Sequence, residues 1–207
     1  MDFYKPLIFD NFYHIYNHGN NKDNIFFEEK NYAFFLSKIK YYLFPVLDLY
    51  CYNLLKNHFH LLIKIKNENE IIHQSEIFCK EKKVPYKMLN ISQQFSNFFN
   101  SYSKSINKQY SRKGSLFAES FKRVEIKTDN KLSQIIGYIH TNAQHHKFVD
   151  DFKEWPHNSY HQISKRNNSY VKAEEVIKWF GNIEEFVNFH SDFAKSIRQE
   201  NNWIEKN

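Results

Sequence analysis

Only two cysteines occur in the 207 residues, Cys51 and Cys79, and their separation yields no Cys-x-x-Cys. That excludes a disulfide-stapled scaffold and a thiolate zinc site, and makes a reducing cytoplasm the expected setting. Four glycines and four prolines are too few for a linker-like or low-complexity chain. No apolar run reaches the length of a membrane span. The start, Met1-Asp2-Phe3-Tyr4-Lys5-Pro6, lacks the basic and apolar parts of a signal peptide, so no membrane partner is expected.

What the chain has in abundance is aromatic: 21 Phe and 14 Tyr. Such a composition buries a core and excludes disorder, and the length suits one domain with an appendage. The formal charge of +6 is concentrated. Between Lys104 and Lys127 stand seven basic residues (Lys104, Lys108, Arg112, Lys113, Lys122, Arg123, Lys127) against two acids, Glu119 and Glu125. Tyr110, Phe117 and Phe121 lie among them, a mixture suited to phosphate contacts and base stacking. A solvated basic face would read the same way.

The most pointed motif is Asn57-His58-Phe59-His60-Leu61-Leu62-Ile63. On a strand, alternate side chains share a face, so His58 and His60 point one way and Phe59 the other. Two neutral imidazoles on a rigid strand offer two corners of a metal site, and a third ligand must come from elsewhere.

Periodicity orders the rest. Strands are expected at Phe12 to Asn17, Val46 to Leu54, His58 to Ile65 and Phe121 to Ile126, the middle two as a hairpin. Helices are expected at Glu29 to Phe44, Asn90 to Ile106 and Asp129 to His145, with one or two more between Ser169 and Arg198. Glu68 to Pro85 reads as a polar connection with some helix. The order is β-α-β-β-α-β followed by a helix. It predicts a ferredoxin-like antiparallel α+β sheet with helices on one face, an extra helix and a C-terminal helical appendage. We place the catalytic domain at residues 1–155 and the appendage at 156–207.

On the helix Asp129 to His145, Tyr138 and Asn142 lie four apart and share a face. If that face meets the histidines, Asn142 completes a metal site and Tyr138 sits where a phosphate could be attacked. Tyr102 is a competing nucleophile, but Phe95, Phe98 and Phe99 around it indicate core. His14 and His140 read as structural, His140 facing away from Tyr138.

The chain resembles the single-tyrosine transposases of the HUH class (His-hydrophobic-His), specifically the REP-associated tyrosine transposases. The resemblance rests on six ordered landmarks: YHIYNHGNN (Tyr13 to Asn21), IFF (Ile25 to Phe27), YNLLKNHFHLLIKI (Tyr52 to Ile65), KGSLFAESFK (Lys113 to Lys122), YIHTN (Tyr138 to Asn142) and WPHNSY (Trp155 to Tyr160). The tail EEVIKWFGNIEEFVNFH (Glu174 to His190) is similar to the C-terminal segment of many members. The resemblance implies His58, His60 and Asn142 as ligands of Mg²⁺ or Mn²⁺, and Tyr138 as nucleophile. It also implies single-stranded or hairpin DNA as substrate, cleaved to a 5′-phosphotyrosine with release of a 3′-hydroxyl, and rejoining without ATP. Arg112, Lys113, Lys122 and Arg123 flank the segment it places near the substrate; Lys104 and Lys108 are further DNA-binding candidates. A homodimer is compatible with the superfamily, as is a monomer.

One departure stands out. Members commonly carry Asn-Pro after the tyrosine motif, and here Ala143 follows Asn142. The helix can therefore run on, and His145, seven residues from Tyr138, becomes a rival third ligand. Two further readings remain at this point: a non-catalytic or domesticated DNA-binding relative, and an RNA-binding module of the same fold.

Overall fold

The computed structural model describes residues 5–199. Four strands form one antiparallel sheet: β1 (Phe12–His18), β2 (Leu47–Leu55), β3 (His58–Ile65) and β4 (Lys122–Ile126), in the order β2-β3-β1-β4. This is the ferredoxin-like order, reached as expected from the alternation of strands and helices. Seven helices accompany it among the described residues: α1 (Glu29–Tyr42), α2 (Glu68–Lys82), α3 (Ile91–Gln109), α4 (Asp129–His145), α5 (Tyr160–Ser164), α6 (Ala173–Phe180) and α7 (Ile183–Gln199). None is long and apolar enough to cross a membrane.

Register decides which side chains share a face. In the β1–β3 pair, Tyr16 lies opposite His60 and His18 opposite His58, while Ile15 faces Leu61 and Asn17 faces Phe59. One face therefore carries His14, Tyr16, His18, His58 and His60; the other carries Ile15, Phe59 and Leu61. The Phe59 face is closed by α1 and α3 through an aromatic core. Phe59 contacts Phe35 of α1 at 5.2 Å and Phe99 of α3 at 6.0 Å between ring centroids. Phe26, Phe35, Phe59, Phe95, Phe98 and Tyr102 are all buried there. Fully burying each of these rings contributes on the order of 2–3 kcal/mol, so the abundance of Phe is an account of this layer.

Across the histidine face lies α4, packed on β2 and β3 and backed by α7. Gly137 permits that backing. A Cβ there would meet Phe189 at 2.9 Å and Phe193 at 3.0 Å, closer than packed side chains approach. Residues beyond 155 join the same core as the sheet, through Tyr160, Ile163, Val176 and Phe186.

Glu68–Lys82 is a full helix rather than a connection with some helix. Asn67 caps it by accepting from the Glu70 backbone N–H at 2.9 Å, and the Glu70 carboxylate accepts from the Asn67 N–H at 3.1 Å. This reciprocal cap offsets a narrow buried stripe of Ile71, Ser75 and Cys79. The landmark WPHNSY forms a strap along the edge strand β2. The Trp155 indole N–H donates to the Leu54 carbonyl at 3.0 Å, the Leu54 N–H to the His157 carbonyl at 2.9 Å, and the Ser159 N–H to the Tyr52 carbonyl at 3.0 Å. An edge that would otherwise expose unpaired backbone is thereby covered.

Candidate metal and nucleophile site

Four groups singled out in the sequence meet where α4 crosses β3. His58 Nε2 lies 3.0 Å from Asn142 Oδ1. The Tyr138 ring stands edge-on to His60, 5.5 Å between centroids, and His60 is 5.3 Å from His58. One helical turn separates Tyr138 from Asn142, so the strand's two imidazoles face the phenol and the amide as the spacing requires.

Burial keeps these imidazoles neutral. Desolvation lowers His58 to about 4, partly offset by its contact with Asn142, and His60 lies well below the ordinary value for the same first cause, with neighbouring histidines adding to it. Neutral imidazole is the ligand form. His58 Nδ1 is 2.8 Å from Asn57 Oδ1, an atom that only accepts. A neutral His58 thus spends its one N–H on Asn57 and turns a lone pair toward Asn142 Oδ1, itself an acceptor. A cation between them would satisfy both. Among the described residues, His60 Nε2 and Asn142 Nδ2 are buried without hydrogen-bond partners. The His60 nitrogen, with the His58 lone pair and Asn142 Oδ1, fits a divalent ion held by two imidazoles and an amide oxygen, while the Asn142 NH2, a donor, takes no part. Among the described residues no group of three or more His, Cys, Asp or Glu is disposed to hold a metal, so any ion here relies on the amide.

His14 belongs to this site as well. The sequence reads it as structural; its Nε2 lies 3.0 Å from His60 Nδ1, and its ring is 6.1 Å from Tyr138. Desolvation lowers it to about 3. Sequence spacing carries no signal for it, because β1 and β3 come together only through the sheet register. At the end of α4, His146 rather than His145 approaches the pair, its ring 4.9 Å from His58. His145 contacts His146, and it is Asn142 that reaches His58.

Tyr102, the competing nucleophile, is core: fully buried, its hydroxyl donates to the Ile25 carbonyl at 2.7 Å, and desolvation raises its pKa. His140 turns away from Tyr138 as expected. Its Nδ1 is 2.8 Å from His190 Nε2 and its Nε2 is 2.8 Å from Ser159 Oγ. Asn53 of β2, absent from the sequence reading, donates to the Ile139 carbonyl at 2.7 Å and ties the middle of α4 to the sheet.

The basic cluster divides. Lys122 pairs with Tyr16 in the β1–β4 register and so lies on the histidine face; Arg123 pairs with Ile15 and lies on the other, over the Phe121 ring at 4.7 Å. Lys104 and Lys108 are exposed on α3, behind the sheet. Arg112 pairs with Asp23 at 3.2 Å. Lys113 is exposed on a loop stitched to the turn after β1, where the Asn20 N–H donates to the Leu116 carbonyl at 2.9 Å and the Ala118 N–H to the His18 carbonyl at 3.1 Å.

Fold and site together define a ferredoxin-like α+β domain whose inner strand carries a histidine pair beneath a tyrosine-bearing helix. Among solved structures, one of a REP-associated tyrosine transposase bound to a REP hairpin is similar over 80% of this chain and 86% of that one, with a TM-score of 0.59 and 12% identity. That likeness is one of fold. No family model and no curated protein matches the sequence.

Proposed function

We propose that this chain is a metal-dependent endonuclease and strand transferase for single-stranded DNA, acting at hairpin-associated sites through a 5′-phosphotyrosine on Tyr138. The observation that carries the reading is the meeting of His58 Nε2 with Asn142 Oδ1 at 3.0 Å, one helical turn from a tyrosine set edge-on to His60. His58, His60 and Asn142 would hold Mg²⁺ or Mn²⁺, which supplies Lewis-acid neutralisation of a phosphate oxygen. The Tyr138 oxygen forms a bond to phosphorus as the bond to the 3′-oxygen breaks, and the strand leaves as a 3′-hydroxyl. Because the phosphotyrosine keeps a phosphodiester bond intact, another 3′-hydroxyl can reverse the step and join strands. Half-buried Lys122 and exposed His18 lie on the histidine face of the sheet, exposed Lys113 lies on the loop stitched to the turn after β1, and these are the groups we assign to DNA phosphates.

The test is incubation with Mn²⁺ and labelled hairpin DNA. A covalent protein–DNA adduct is expected, and it should vanish in Tyr138→Phe; an adduct surviving that substitution would move the nucleophile elsewhere. Tyr138 is only 5% exposed, which favours a second reading: a DNA-binding protein of this fold without catalysis. Salt-sensitive hairpin binding with no adduct under any divalent metal would establish it.

A further inference from the structure

We infer that His14 is a positioning residue that fixes His60 as its Nδ1–H tautomer and so presents Nε2 as a metal ligand. The inference rests on the proposed reading of His60 and assigns a partner that reading does not require. His14 and His60 are diagonal neighbours on one face of the β1–β3 pair, within reach of ring-to-ring hydrogen bonding. Their 3.0 Å contact joins His14 Nε2 to His60 Nδ1. Two neutral imidazoles so joined share one proton, and its position has consequences.

Were the proton on His14 Nε2, neutral His60 would carry its own on Nε2, a buried atom with no partner among the described residues. An N–H buried in that way costs roughly 1–3 kcal/mol. With the proton on His60 Nδ1, donated to His14, the orphaned Nε2 becomes a lone pair that a cation can take. Metal-bound histidines are commonly oriented by a carboxylate or carbonyl accepting from the second ring nitrogen. Here an imidazole takes that role, without adding negative charge. Tyr16 stacks on His14 at 5.0 Å and on His60 at 5.8 Å, which holds both rings in the geometry that the bond needs.

The experiment has two parts. In metal-free protein labelled with ¹⁵N-histidine, long-range ¹H–¹⁵N correlation should show His60 as the Nδ1–H tautomer in the wild type. In His14→Ala it should become a mixture, and His14→Gln, whose amide oxygen can accept, should restore it. Mn²⁺ titration followed by electron paramagnetic resonance should show about 10- to 100-fold weaker binding in His14→Ala, largely recovered in His14→Gln. An Nε2–H tautomer in the wild type overturns the assignment. So does wild-type Mn²⁺ affinity in folded His14→Ala when His60→Ala is impaired. If His60→Ala also binds as the wild type does, the metal reading of the site itself fails.

Discussion

Acidification should unfold this protein well before its carboxylates titrate. Four histidines, His14, His60, His140 and His190, are buried, and His58 is half-buried. Desolvation pulls His14 down to about 3, and His58 and His190 to about 4. It also takes His60 and His140 well below their ordinary 6.5. Above about pH 7.5 these rings are neutral folded or unfolded and contribute nothing to pH dependence. Below it the unfolded chain binds protons that the folded one refuses, so stability falls with pH until the folded values are reached. From about pH 6.5 to about pH 5, each of the three histidines with a defined value costs about 1.6 kcal/mol, about 5 kcal/mol together, and His60 and His140 act in the same direction. Domains of this kind have on the order of 5–15 kcal/mol in total, so unfolding near pH 5 is expected. Urea titrations across about pH 5 to about pH 8 should show a midpoint that is flat at the alkaline end and falls steeply below 6.5. A midpoint unchanged down to pH 5 would refute the claim that these imidazoles are held neutral by burial.

Gly137→Ala should lower the melting temperature. Helix propensity gains about 1 kcal/mol, but the new methyl group meets two phenylalanine rings and overpacking costs roughly 1–3 kcal/mol; a rise measured by calorimetry would mean that α7 yields freely. Asn53→Ala should cost roughly 1–3 kcal/mol, since Asn53 bonds the Ile139 carbonyl in a buried place. Chemical denaturation reads that loss, and an unchanged midpoint would argue against this tie. Lys122→Ala should weaken hairpin DNA binding and reduce its salt dependence by about one ion, whereas Lys104→Ala, behind the sheet, should leave both unchanged. Fluorescence anisotropy at several salt concentrations separates the two, and equal effects would refute the division of the basic cluster by face.

The parts of the fold legible in sequence are those whose signal is local. The Asn57 to Ile63 alternation shows a strand and its histidine face, and the Leu132, Ile136, Ile139 stripe marks α4, whose observed bounds, Asp129–His145, are those expected. α2 is harder to read because it buries only three residues, and its Asn67–Glu70 cap is the usable signal. The basic cluster misleads as a linear feature: Lys122 and Arg123 are neighbours in the chain, yet strand alternation puts them on opposite faces. His14 is invisible for the converse reason. Nothing local distinguishes it from a histidine packed in a core strand, and only the pairing of β1 with β3 brings it against His60.

The same reasoning explains how Tyr138 and Asn142 come to face the histidines without help from another chain. At about 100° per residue, Gly137 and His140 lie on the side of α4 opposite Tyr138 and Asn142. Gly137 is fitted to Phe189 and Phe193, and His140 is joined to His190, so α7 fixes that side. Ile139 lies between the two sides, where Asn53 holds its carbonyl and, one turn on, Ala143 is buried with Leu55 and Trp155. A helix gripped on two of its sides cannot rotate about its axis, and the remaining side is the one that meets His58 and His60. Proline at position 143 would disturb this grip, because its ring crowds the carbonyl four residues back, and in this chain that carbonyl is Ile139's, the one bonded by Asn53. The alanine that departs from the Asn-Pro pattern is therefore matched to Asn53. The four groups of the proposed site are assembled within one chain, and no exchange of α4 between subunits is needed to complete it.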